Sequence, residues 1–131
     1  MKGFIADIED RAEANGHFRR VIYTGPHIQL VLMALDPGEE IGEEVHEDTD
    51  QFFRVEEGRG KVIIDGVATP IESDTGIVIP AGARHIVINT GSRPMKMYTL
   101  YAPPHHEDGT VHHTRAEAES ATEHFTGATT E

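Results

Sequence analysis

The 131-residue chain is 37% apolar and 6% aromatic, has no cysteine or tryptophan, and carries a formal charge of −12. That length fits one domain with a modest core of Val, Ile, Leu and a few Phe and Tyr. Disulfides, thiolate metal sites and cysteine nucleophiles are excluded, the acidic balance argues against nucleic acid, and no apolar run reaches the length of a membrane span.

The first stretch, MKGFIADIEDRAEANG, carries charges by position seven and lacks the apolar segment of a secretory signal. Within it, Ile5, Ile8 and Ala12 recur at helical spacing and Asn15-Gly16 is a stop, which predicts a helix over Ile5 to Asn15. From Phe18 the period changes. Val21 to Thr24 and Ile28 to Leu35 read as strands split by Gly25-Pro26, and Pro37-Gly38 makes the next turn. In Asp50 to Glu56, Phe53 and Val55 share a face with Gln51, while Phe52 and Arg54 point the other way. Arg54 is thereby read as a solvated or interface residue.

Lys61 to Ile64 and Val67 to Ile71 flank Asp65-Gly66, a dipeptide suited to the positive φ angles of a type I′ hairpin turn. Gly76 to Pro80, Arg84 to Thr90 and Met95 to Ala102 supply three more strands. Turn signals at such short intervals predict an all-β sandwich or barrel. Phe53, Val55, Ile77, Ile79, Val87 and Met97 are the expected core, and Tyr98 and Tyr101 the aromatic candidates near a pocket. Beyond Pro103-Pro104 the chain is polar. His105, His106, His112 and His113 are expected in a polar loop leading to the last helix, one imidazole leaning toward the barrel mouth, rather than in a lid or second metal site. Thr114 caps a predicted helix reaching Glu123, and the final residues are expected to fray. The organisation is thus one domain: an N-terminal helix within 1–16, a barrel over 17–104, and a loop, helix and tail over 105–131.

Two stretches carry chemistry. In GEEIGEEVHEDTDQFFRVEEG, Gly38 to Gly58, Glu44 and His46 stand two apart and Gln51 follows. In extended chain, residues two apart share a face about 6.5 Å apart, close enough for both side chains to converge on one ion. In IPAGARHIVIN, Ile79 to Asn89, His85 comes three residues after a Pro-x-Gly turn. Gln51 and His85 would close the set from neighbouring strands. Asp48 and Asp50 flank His46 and are the alternative carboxylates.

These stretches resemble the cupin superfamily, small conserved-barrel proteins with motifs G-x5-H-x-H-x3,4-E-x6-G and P-x-G-x2-H-x3-N. Gly38, Glu44, His46, Gln51 and Gly58 keep the first spacing, and Pro80, Gly82, His85 and Asn89 the second. Glu44 replaces the usual first His, Gln51 replaces the usual Glu, and Asp74 stands where a glycine usually precedes the second motif. The chain looks most like the single-domain cupins labelled mannose-6-phosphate isomerase-like.

The resemblance implies an all-β double-stranded β-helix (jelly-roll) barrel with short terminal helices. It further implies a metal set of Glu44, His46, Gln51 and His85, and a homodimer. Two imidazoles, a carboxylate and an amide suit Mn, Fe, Ni, Co or Zn. The expected function is a metal-dependent enzyme acting on a small polar substrate, isomerase-like or dioxygenase-like, in the cytoplasm. The alternatives are a non-catalytic module binding a sugar or small acid, and a purely structural dimer. No catalytic residue outside the metal set is assigned.

Overall fold

The computed structural model describes residues 1–131. Ten strands follow a short helix, α1 (Ile8–Ala14), and a second, α2 (Arg115–Ser120), comes after them. The strands are β1 (Arg19–Thr24), β2 (Gln29–Leu35), β3 (Glu40–Val45), β4 (Asp50–Glu57), β5 (Arg59–Ile64), β6 (Val67–Glu72), β7 (Gly76–Ile79), β8 (Arg84–Asn89), β9 (Met95–Ala102) and β10 (Val111–His112). They form a six-stranded sheet, β10-β1-β2-β9-β4-β7, and a four-stranded sheet, β3-β8-β5-β6. Every pairing is antiparallel.

Alternation along the strands builds the core. In β4, Gln51, Phe53 and Val55 are buried while Phe52 and Arg54 are only partly so, as the period of two requires. Phe53, Val55, Ile77, Ile79, Val87 and Met97 all join one 17-residue apolar cluster filled from both sheets. Arg54 lies on the opposite face and pairs with Glu56 and Asp74. Pro70 falls in β6, the outermost strand of its sheet, where the missing N–H is tolerated.

The turns follow local chemistry. Asp65 and Gly66 both take positive φ, 46° and 84°, as a type I′ hairpin needs. Gly58 is required for two reasons: its φ is +94°, and a Cβ there would come within 2.9 Å of Met95 Cα. Asp74, in the place of the motif glycine, also adopts positive φ (71°); its N donates to Val55 O (2.8 Å) and its carboxylate accepts from Arg54. Asn89 serves as a brace: its Nδ2 donates to Leu35 O and Arg93 O, and its Oδ1 accepts from Gly91 N.

The ends differ from expectation. Helix α1 begins only after Asp7, whose carboxylate caps it by accepting from Asp10 N, and Ile5 lies outside it, 95% exposed. Asp7 competes for the helix start because a capping carboxylate satisfies a free N–H that Ile5 cannot. Thr114 caps α2 as predicted, but the helix ends at Ser120. The tail, expected to fray, is tied down. Thr130 N donates to Thr24 O, Thr24 N to Thr130 Oγ1, and Phe125 N to His105 O. The Glu131 carboxylate accepts from Lys2 N, Gly3 N and Tyr23 OH. Backbone pairing, not apolar burial, holds this segment, so hydropathy did not reveal it.

Candidate metal centre

The ends of four strands meet at one end of the barrel. Glu44 closes β3 directly opposite His85, near the start of β8. Gln51 opens β4 opposite Tyr101 of β9. The β3 register shifts between Ile41 and Glu44, a bulge of the kind that re-aims a side chain next to a site. His46 lies just past the end of β3, where its carbonyl accepts from Gly82 N, so the two motif turns are joined by backbone.

Ligand atoms of Glu44, His46 and His85 all lie within 4.8 Å of one another. His46 Nε2 is 3.0 Å from Glu44 Oε2, and His85 Nε2 is 4.0 Å from the same oxygen. With metal–ligand bonds of about 2.1 Å, neighbouring donor atoms sit about 3–4 Å apart, so the three atoms fit around one ion after a small contraction.

Two lone pairs here lack partners. His85 Nδ1–H donates to Ala83 O (3.1 Å), which fixes the tautomer and leaves Nε2 as an acceptor. That Nε2 is buried without a hydrogen bond. Gln51 Nε2 donates to Thr99 Oγ1 (3.0 Å), so its Oε1 is likewise buried and unpartnered. Neither Asp48 nor Asp50 joins the group. Asp48 is exposed, and Asp50 Oδ1 accepts from Ala81 N, bracing the second motif's turn.

Electrostatics puts the groups in the forms a cation needs. Burial pushes the Glu44 carboxyl up, but the hydrogen bond from His46 and the nearby His46, Arg19 and His85 bring it below its usual value. Burial lowers the His85 imidazole, only partly offset by the Ala83 carbonyl and Glu44. At neutral pH the pair is therefore a carboxylate and a neutral imidazole.

A polar network surrounds this centre, and it draws in more of the histidine tract than the one imidazole expected to lean toward the barrel mouth. His106 and His112 are buried, and the His105 ring packs 4.4 Å from that of His46 and stacks on Tyr101. His106 Nδ1–H donates to both Glu123 oxygens (3.1 and 3.2 Å), leaving Nε2 to accept from Tyr101 OH (3.3 Å). Burial pushes the Tyr101 hydroxyl up to about 12, so it stays a donor. Gln29 clamps the segment: its Oε1 accepts from His105 N and His106 N, and its Nε2 donates to His106 O and Thr24 Oγ1. His113 alone faces away, against His17. Tyr98 lies on the other face, beside Phe52.

Arg19 is the residue sequence reasoning missed most plainly. It is 5% exposed, and its Nη1–H donates to His112 Nδ1 (3.1 Å). It shares the inward face of β1 with Val21, two residues on, but a charged side chain at a strand start reads as surface. A cleft of about 190 Å³ lined by Phe18, Arg19, Ile41 and Glu44 opens beside the centre. The larger hollow, about 890 Å³, lies at the far end near Arg59 and Arg93 and has no apolar lining.

The cupin-domain profile matches residues 31–101. The chain belongs to the cupin family. It is 44% identical over 126 residues to the uncharacterized protein YrkC of Bacillus subtilis (strain 168), covering 92% of this chain and 68% of that one. An uncharacterized protein of Acanthamoeba polyphaga mimivirus is 38% identical over 120 residues, covering 82% and 70%. Among solved structures, BH2720 from Bacillus halodurans is 47% identical with a TM-score of 0.90, covering 92% of this cupin and 96% of that chain. The cupin fold accounts for the two antiparallel sheets, with a group of Glu44, His46 and His85 that could hold a metal at one end.

Proposed function

We propose that Glu44, His46 and His85 hold a divalent first-row metal (Mn, Fe, Ni, Co or Zn), with Gln51 Oε1 as a fourth, neutral donor. The chain would then be a metal-dependent enzyme on a small polar molecule. One observation carries this reading: two buried lone pairs, His85 Nε2 and Gln51 Oε1, have no hydrogen-bond donor. An unpartnered buried acceptor costs about 1–3 kcal/mol, and a cation satisfies both at once. When bound, such a metal supplies Lewis-acid or oxygen-activating chemistry.

The protein's own groups then divide the work. His85 is held in its accepting tautomer by Ala83 O, and Gln51 is oriented by Thr99. Tyr101 OH, backed by His106 and Glu123, is a protonated donor beside the centre. The His105 ring closes the outer side next to His46. Isomerase-like chemistry on a sugar phosphate and dioxygenase-like chemistry both fit a centre with open positions, and the fold does not choose between them. The mannose-6-phosphate isomerase-like label, a homodimer and a cytoplasmic setting belong to the same proposal and rest on the resemblance.

The second reading is a binding module without turnover, favoured by the lack of a general base next to the cluster other than His105 of the histidine-rich loop. Screening metal-loaded protein for oxygen uptake and sugar isomerisation, beside His46→Ala, separates the two. Turnover that vanishes in His46→Ala supports the enzyme. Ligand binding with no turnover in any screen supports the module.

A further inference from the structure

Arg19 is a buried cation that the protein itself leaves unneutralised. Its guanidinium has five N–H donors. One goes to His112 Nδ1, and Nε is buried without any partner. No carboxylate forms an ion pair with it. The face of Phe18 lies 5.3 Å from its Cζ. Burying an unpaired charge is costly, and proteins ordinarily pair such groups or keep them for a ligand.

Its position names the ligand. Arg19 lines the cleft of about 190 Å³ together with Glu44 and acts on both Glu44 and the Tyr101 hydroxyl. The other arginine of that cleft, Arg115, is already paired with Glu40 and Glu119. Glu43 is paired with Arg84. The cleft therefore offers one free positive charge among carboxylates. A forked guanidinium matches a carboxylate in geometry. A dianionic phosphate would bring a second negative charge toward Glu44 and Glu40 with nothing to meet it.

We infer that Arg19 is the anchor for the carboxylate of a small monocarboxylic acid, held beside the Glu44–His46–His85 centre. This rests on the proposed function and narrows its small polar substrate to a class. Phe18, which lines the same cleft, offers an apolar wall to the acid's carbon chain.

The test uses L-lactate as the acid, lactamide as its neutral isostere and inorganic phosphate as the dianion. Each is titrated calorimetrically into the full chain, both as purified and after metal removal with chelator. Lactate should bind in both forms, ahead of lactamide and phosphate. Losing a charge-assisted bidentate contact weakens binding by about tenfold to a hundredfold, so Arg19→Gln should lose lactate to that degree while lactamide changes little. Arg19→Lys, which keeps the charge without the fork, should fall between and carries the test if Arg19→Gln fails to fold.

The inference is overturned if lactate binds Arg19→Gln (or, where that variant does not fold, Arg19→Lys) as tightly as the parent. It is also overturned if phosphate or lactamide binds the parent better than lactate does, or if the parent binds no lactate. Metal content is read on the same samples. A parent that takes up no metal even from Mn, Fe, Ni, Co and Zn salts but discriminates lactate through Arg19 sinks the metal reading alone, and a metal-loaded parent indifferent to Arg19 sinks this inference alone.

Discussion

Gln51→Leu should stabilise the metal-free protein, although it removes a hydrogen bond. Gln51 is 2% exposed, its Oε1 has no partner, and its Nε2 donates to Thr99 Oγ1 at 3.0 Å. Removing an unsatisfied buried carbonyl gains about 1–3 kcal/mol, and losing the amide–hydroxyl bond costs about 0.5–1.5 kcal/mol. The net in chelator is a gain of about 1 kcal/mol, or about 3–6 °C in unfolding midpoint for a chain of this size. Metal reverses the balance. At a metal concentration about 100 times its Kd, the parent gains about 2.7 kcal/mol, whereas a variant bound about tenfold more weakly gains about 1.4 kcal/mol. The variant's lead should therefore close to about zero. Denaturant titrations of both proteins, in chelator and in saturating metal, measure all four stabilities. A variant destabilised by more than about 1 kcal/mol in chelator would show that the Gln51 carbonyl is satisfied by the protein itself. A lead that metal leaves untouched would show that Gln51 does not face the ion.

Three further outcomes are expected. Glu44→Gln should weaken metal affinity, read by chelator competition, far more than Gln51→Ala, because a carboxylate brings charge and an amide only a dipole. Equal affinity in Glu44→Gln and the parent would place Glu44 outside the site. Metal-free protein should lose stability as pH falls below 6.5, the ordinary histidine value. Burial lowers the His106 imidazole, whose neighbours are Glu123, Arg19, His112, Tyr101 and His105. The unfolded chain therefore binds the proton first, so this stability is complete above the unfolded value and lost on acidification. His106→Asn should show a smaller drop in unfolding midpoint between neutral pH and pH 5, and an unchanged drop would acquit His106. Deleting residues 124–131 should cost about 1–2 kcal/mol by stripping the partners of Thr24 N and O; an unchanged midpoint would mean the tail contributes nothing.

The barrel was legible because its signals are local. The Asp65-Gly66 turn, the alternation of Gln51, Phe53 and Val55, and the two motif turns each depend on a few neighbouring residues. The Glu44, His46 and His85 cluster was legible for a related reason: motif spacing places both stretches at the same end of paired strands. What escaped depends on contacts across the fold. Arg19 reaches in to His112, Gln29 clamps a loop 77 residues away, and Glu123 reaches back to His106. Each of these polar residues looks like surface in the sequence, because nothing local distinguishes a hydrogen-bonded buried side chain from a hydrated one. The histidine tract shows the same limit, since His106 and His112 are buried by partners from β1, β9 and the tail.

Two imidazoles and a carboxylate are proposed to hold one metal ion per chain. Elemental analysis of protein purified without chelator, beside His85→Ala prepared identically, addresses it most directly. Close to one first-row transition metal per chain is expected in the parent, and almost none in a folded His85→Ala. Full occupancy in His85→Ala, or no transition metal in the parent even after incubation with Mn, Fe, Ni, Co and Zn salts, would contradict it.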